Sequence, residues 1–178
     1  PCEILGGKTP LEYASTPNLD KLASMGTTGI MDVHGAGIPV GTDLGHMILF
    51  GYGLEDYPGR GPIEAFGREI ELQAGDVAFR SNFATVNENL CVVDRRAGRI
   101  RENTNLLAQS LNNIEIDGIK VIFKEATEHR AVLILRGPGL SANITDTDPK
   151  VAGVDVNYKK CQSKDGKPDS IFTAEIVN

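Results

Sequence analysis

The chain has 178 residues, 40% of them hydrophobic and 24% charged, enough for one large domain or two small ones with a buried core. Eighteen Lys and Arg against 24 Asp and Glu leave a formal net charge of −6, with only 6% aromatic residues. That balance excludes an extended nucleic-acid surface, whose affinity rests on many cations neutralising phosphates.

No apolar run reaches the roughly 20 residues that cross a bilayer. The opening stretch from Pro1 to Lys8 lacks the basic and apolar regions of a signal peptide. The expectation is a cytoplasmic protein with neither nucleic-acid nor membrane partners. Cys2, Cys91 and Cys161 are far apart with no CxxC pair, which argues against a disulfide framework and a thiolate zinc site. His34, His46 and His129 show no ligand spacing, which argues against a self-contained histidine metal site.

In chain order, Thr16-Pro17-Asn18-Leu19-Asp20 reads as a helix start, with Thr16 as cap, Leu19, Leu22 and Ala23 as an apolar stripe, and Gly26 as stop. Thr28–Val33 is expected to be a short strand. A glycine-rich loop, Gly35–Gly41, leads into a second helix from Thr42-Asp43 to Gly51. Asp56–Pro62, dense in Pro and Gly, reads as a linker or hinge.

Asp76–Val86 alternates like a strand, with Asp76, Arg80 and Asn82 on one face and Val77, Phe79 and Phe83 on the other. Leu90–Asp94 is a further strand, and Arg101–Leu111 a helix with Leu106, Leu107 and Leu111 inward. Ile119–Lys124 and Arg130–Arg136 form two more strands around a turn at Glu125–His129. Lys159–Ser170 reads as a mobile loop, and Ile171–Asn178 as the beginning of a helix. This β-β-α-β-β order predicts a small α+β domain with a mostly antiparallel sheet.

Three stretches carry candidate chemistry. Thr42, where a loop enters a helix, places a hydroxyl beside unpaired backbone N–H groups and the positive end of the helix dipole. That suits a phosphorylated side chain or a metal-bound alkoxide. A plain capping threonine with Asp43 in the first turn fits the same pattern, and His46, one turn on, is either structural or supports a group bound at Thr42. Asp94–Arg101 holds Arg95, Arg96, Arg99 and Arg101. Arginine forks bind carboxylate and phosphate in bidentate fashion, and so short a run in an acidic chain favours a small anion over a polymer. A solvated basic turn is the alternative. Arg80 and the pair His129-Arg130 can join the same pocket. In Gly59–Ala65, two glycines around Arg60 free its backbone to bend toward a ligand, or the segment is a plain linker.

These residues sit in an ordered set of motifs. The set comprises Gly7-Lys8-Thr9-Pro10-Leu11-Glu12-Tyr13-Ala14, Thr16–Ala23, Gly37-Ile38-Pro39-Val40-Gly41-Thr42-Asp43 and Gly51-Tyr52. It continues with Gly59-Arg60-Gly61-Pro62-Ile63-Glu64-Ala65, Asp76–Phe83, Asp94-Arg95-Arg96-Ala97-Gly98-Arg99-Ile100, Glu128-His129-Arg130 and Thr145-Asp146-Thr147-Asp148-Pro149. In this order, over nearly the whole chain, the sequence resembles the archaeal-type, cofactor-independent phosphoglycerate mutases of the alkaline phosphatase superfamily.

The resemblance implies interconversion of 3-phosphoglycerate and 2-phosphoglycerate, in glycolysis and gluconeogenesis, through a phosphorylated hydroxyl. It implies two divalent metal ions, manganese first and magnesium or zinc as alternatives. Thr42 maps onto the nucleophile and a metal ligand, where the family usually has serine, and Asp43 and His46 lie beside it. Arg60, Asp76, Arg80, Asn82, Asp94, Arg95, Arg96, Arg99, His129 and Arg130 map onto substrate-side motifs.

The family's remaining metal ligands precede Gly6 and follow Asn178, so the chain is expected to be a fragment that alone neither holds both metals nor turns over. The expected fold is α/β: a partial alkaline-phosphatase-like core over 1–60, an inserted substrate-binding α+β domain over 61–150, and a return segment over 151–178. The alternatives are another phosphotransferase of the superfamily or, for the chain alone, a non-catalytic anion-binding module. The oligomeric state is left open.

Overall fold

A computed structural model describes residues 1–178, which divide into two compact units, 1–54 and 55–178. In the first unit, α1 (Pro10–Tyr13) is fixed by a reciprocal cap. Glu12 N–H donates to Thr9 Oγ at 3.2 Å, while Thr9 N–H donates to the Glu12 carboxylate at 2.7 Å. Helix α2 (Pro17–Met25) starts where Thr16-Pro17 predicts, but the Thr16 hydroxyl donates to Asp20 Oδ1 at 3.1 Å instead of capping the backbone. Helix α3 (Thr42–Leu49) follows the glycine loop.

The strand expected at Thr28–Val33 does not form. Ile30 is 99% and Met31 66% exposed, and these residues bridge to no other backbone; an extended segment without a paired neighbour is not a strand. Gly45 is the only buried residue of this unit, and Leu19 and Leu22 of the expected apolar stripe are exposed.

The second unit is built on a four-stranded antiparallel sheet of order β1-β6-β5-β4. Its strands are β1 (Val77–Asn82), β4 (Ile114–Ile116), β5 (Ile119–Glu125) and β6 (Arg130–Arg136). The central strand β6 is buried on both faces, because one helix covers each. On one face, α4 (Arg60–Gly67) places Ala65 against Val132 and Ile134. On the other, α6 (Pro168–Val177) places Ile176 against Leu135, Ile119 and Val121. Helix α5 (Thr104–Leu111) lies against β5. Outside the main sheet, β2 (Thr85–Val86) and β3 (Val92–Asp94) form a short antiparallel ribbon. The mixed α/β character and the antiparallel sheet agree with the sequence reading.

Several local expectations are corrected. Residues 60–62 are the first turn of α4 instead of a linker. Gly61 permits this: a Cβ there would lie 1.9 Å from the Ala78 carbonyl oxygen, so the helix backbone rests directly on β1. The expected strand Asp76–Val86 breaks at Phe83-Ala84 into β1 and β2. In α5 it is Thr104 and Ala108, one turn apart, that are buried, while Leu106, Leu107 and Leu111 are exposed; small side chains allow the close approach to β5. Strand β4, absent from the sequence reading, is joined to β5 by Asp117-Gly118, both at positive φ (50° and 79°), the backbone of a two-residue type I′ hairpin. Lys159–Ser170 is ordered: Cys161 is buried, Ser163 bridges Ile144, and α6 already starts at Pro168.

Candidate anion-binding cavity

Antiparallel pairing sets Asn82 directly opposite Arg130 at one end of the β1–β6 ladder, with Arg80 two residues back on the same face. That face is the one α4 covers, and Arg60, first residue of α4, meets them there. The turn after β3 brings in Arg95, Arg96 and Arg99, and the β5–β6 turn contributes Glu128 and His129. Asp148 and Lys150 complete the wall of a cavity of about 540 Å³.

Seven Arg and Lys side chains therefore face two carboxylates in one cavity of a net-acidic chain. Part of that charge is already engaged. Arg95 grips Asp148 with Nε (2.7 Å to Oδ1) and its terminal nitrogen, and donates to the Lys150 carbonyl at 2.9 Å. The Arg95 hydrogen bonds hold the Asp148 carboxyl far below the usual carboxylate range. Arg80 pairs with Glu64 at 3.7 Å. Glu128 accepts from Arg101 at 2.5 Å, which lowers its pKa. Arg96 and Arg99 are exposed toward the cavity.

His129 is 6% exposed. Burial first, then the neighbouring Arg130 charge, pushes its imidazole below the ordinary 6.5 despite Glu128, so it is neutral at pH 7. Its Nδ1 and the Nε of Arg130 are buried without a hydrogen-bond partner in the protein. A wall that leaves polar atoms unsatisfied and concentrates like charge is not arranged for its own stability.

Two residues of the expected set lie elsewhere. Asp76 accepts both forks of Arg136 (2.7–3.2 Å) and the Gln73 N–H (2.8 Å) at the opposite end of β1, with its side chain 2% exposed. Burial raises its pKa, and the Arg136 and Gln73 hydrogen bonds outweigh that to leave it lowered. The Asp94 carboxylate binds the backbone of its own turn, outside the cavity wall. Conversely, Glu128, Asp148 and Lys150 line the cavity without having been singled out as site residues. Glu128 and Asp148 fall inside motifs that were recognised, and Lys150, one residue past the last motif at φ 67°, carries no sequence signal of its own.

Thr42, Asp43 and His46 belong to the unit 1–54. Thr42 is the exposed first residue of α3, behind Gly41 as N-cap, and the His46 ring nitrogen Nδ1 donates to the Thr42 carbonyl at 2.6 Å. That bond places a hydrogen on Nδ1.

The family model for 2,3-bisphosphoglycerate-independent phosphoglycerate mutase matches residues 23–178. The chain belongs to this family. Among relatives of that name, the protein of Methanopyrus kandleri is 52% identical over 181 residues, covering 98% of this chain and 42% of the relative. That of Methanothermobacter thermautotrophicus is 48% identical over 182 residues, covering all of this chain and 44% of the relative. The solved cofactor-independent phosphoglycerate mutase of Thermoplasma acidophilum superposes with a TM-score of 0.64 at 39% identity, over 100% of this chain and 46% of that one. The chain thus spans less than half the length of these mutases. It assembles no group of three or more His, Cys, Asp and Glu side chains able to hold a metal ion. The residues of this chain alone therefore do not make a site for the divalent metals that the resemblance implies.

Proposed function

We propose that the protein to which this chain belongs interconverts 3-phosphoglycerate and 2-phosphoglycerate, and that residues 55–178 supply its anion cradle. The observation that carries this reading is the cavity's excess of five positive charges in a space fit for one small polyanion. A phosphorylated hydroxy acid carries two separate anionic groups, and arginine forks match both by geometry. Family membership then selects phosphoglycerate among such anions.

In the proposed reaction the Thr42 hydroxyl oxygen forms a bond to phosphorus as the ester bond to the glycerate oxygen breaks, and the proton lost by Thr42 ends on that departing oxygen. The glycerate stays in the cradle, reorients, and its other hydroxyl takes the phosphoryl group back. Phosphoryl transfer of this kind is mostly positioning and charge stabilisation. The cradle's part is to keep the dephosphorylated acid from escaping between the two steps. The two divalent metals implied by the resemblance remain a proposal for the longer protein, as does a cytoplasmic location; the structure has no helix long and apolar enough to cross a membrane.

The test has two arms. Calorimetric titration of 3-phosphoglycerate into the 178-residue chain should give saturable binding that Arg96→Ala and Arg99→Ala each weaken. In the full-length protein, Thr42→Ala should abolish mutase turnover while leaving ligand binding in place. Turnover on a sugar phosphate and none on phosphoglycerate would transfer the reading to another phosphotransferase of the superfamily. Because this chain forms no metal cluster, binding without turnover is the behaviour expected of it by itself.

A further inference from the structure

We propose that Asp94 is a positioning residue: its carboxylate fills the backbone hollow of the Arg96–Arg99 turn and thereby aims those two arginines into the cavity, without touching the ligand itself. The inference deepens the cradle reading above and rests on it.

The turn is a costly conformation. Ala97, Gly98 and Arg99 are three successive residues at positive φ (45°, 63° and 56°), of which only the glycine adopts that region freely. Left-handed backbone at a side-chain-bearing residue costs on the order of 1–2 kcal/mol, so something must hold Ala97 and Arg99 there. Two backbone bonds run within the turn, Arg99 N–H to the Arg96 carbonyl at 2.7 Å and Ile100 N–H to the Ala97 carbonyl at 3.0 Å. The N–H groups of Arg96 and Gly98 take no part in those two bonds. Asp94 meets both: Oδ1 accepts from Arg96 N at 2.8 Å and Oδ2 from Gly98 N at 2.8 Å.

Successive N–H groups converging in this manner make an anion-binding hollow. Here the occupant is built in. Those two backbone bonds hold the Asp94 carboxyl below its ordinary range.

The division of labour along the segment supports the assignment. Asp94 and Arg95 are half-buried anchors, one fixed to the backbone of the turn, the other to Asp148 and the Lys150 carbonyl. Arg96 and Arg99 are exposed and line the cavity, whereas Asp94 does not. A carboxylate aimed into an anion site would repel the ligand. One hydrogen-bonded to backbone N–H groups and outside the cavity lining keeps its charge away from the ligand.

The experiment is titration of 3-phosphoglycerate into the 178-residue chain carrying Asp94→Ala, Asp94→Asn, the pair Arg96→Ala/Arg99→Ala, and the triple variant. Hydrogen exchange of the Arg96 and Gly98 amides is followed alongside. Misplacing a cradle group by about an ångström weakens binding by roughly 10–100-fold, the loss expected for Asp94→Ala. Asp94→Asn, which keeps one acceptor, should fall between. The triple variant should bind no worse than the Arg pair, because the aspartate then has nothing left to aim. In Asp94→Ala the Arg96 and Gly98 amides should both lose protection, and in Asp94→Asn one of them, while the β5–β6 amides keep theirs.

Unchanged or tighter binding in Asp94→Ala, or a further loss in the triple variant, would overturn the positioning role. Were the unaltered chain to bind no 3-phosphoglycerate, the cradle reading would fall. The aiming device would then be decided by exchange alone, with unchanged Arg96 and Gly98 protection refuting it and selective loss upholding it.

Discussion

The two ends of β1 are made from the same materials and behave in opposite ways. Just ahead of its first residue, Asp76 and Arg136 close on each other with two-pronged geometry, a further Arg136 hydrogen goes to the Glu71 carbonyl, and the charge cancels. At its last residue, Asn82, Arg80 and Arg130 meet the turn arginines, and positive charge accumulates beyond what Asp148 and Glu128 neutralise. One end holds the strand to its neighbour. The other gathers more cationic than anionic side chains around one cavity. Arginine and strand face recur at both ends, and the carboxylate that Asp76 offers and Asn82 lacks separates a paired arginine from one that lines the cavity.

The largest disturbance of this contrast is expected at the residue that affects both ends. In Gly61→Ala the added methyl meets the Ala78 carbonyl and the Phe79 nitrogen, main-chain atoms that cannot swing aside. Forcing α4 off β1 should cost about 3 kcal/mol in urea unfolding, and should weaken 3-phosphoglycerate binding because Arg60 moves with the helix. Next comes Asp76→Ala, which leaves Arg136 without its carboxylate. It should lose about 2 kcal/mol of stability with the ligand Kd unchanged within about twofold. Its pH dependence has a definite sign. Because Asp76 is lowered when folded, its contribution is complete above 3.8 and is lost as pH falls through the folded value; Asp76→Asn should flatten that acid limb in a denaturation series.

At the open end the effects invert. Arg96→Ala should weaken 3-phosphoglycerate about tenfold while its unfolding midpoint moves by no more than the few tenths of a kcal/mol typical of surface changes. The smallest expected effect is that of His129. Since its pKa is depressed, the unfolded chain takes up the proton first. Stability should decline as pH drops below 6.5 and level off once the folded imidazole is also protonated. His129→Gln should remove that slope, as read from unfolding midpoints between pH 7.5 and 5.

Much of this was legible in the residues. Helices α2 and α3 announced themselves through Thr16-Pro17 and Thr42-Asp43, and the β5–β6 pair through two β-branched runs around a polar turn. The convergence of Arg80, Arg95, Arg96, Arg99 and Arg130 followed from strand parity and a dense arginine run. What stayed hidden depends on distance between segments. Gly59-Arg60-Gly61-Pro62 has the composition of a hinge, and only the nearness of β1 makes Gly61 a packing residue at the start of a helix. Leucines in α5 suggested an inward face, yet tight approach to β5 selected Thr104 and Ala108. Local signals were also passed over: Thr9-x-x-Glu12 spells a reciprocal cap, and Asp117-Gly118 spells a two-residue hairpin. No strand statistics could have told Asp76 from Asn82, because pairing with Arg136 is decided some sixty positions away.

The β1–β6 register also sets the order in which the molecule can assemble. Strands β5 and β6 meet across a turn of a few residues, a contact that forms early. Asn82 reaches Arg130 only after a loop of roughly fifty residues has closed, which is slow and entropically costly. The arginine cluster therefore comes into being with a long-range pairing, and an early hairpin has nothing with which to hold a polyanion. An anion in the medium should leave the folding rate nearly untouched and slow unfolding instead, lengthening the life of the finished protein without hastening its formation.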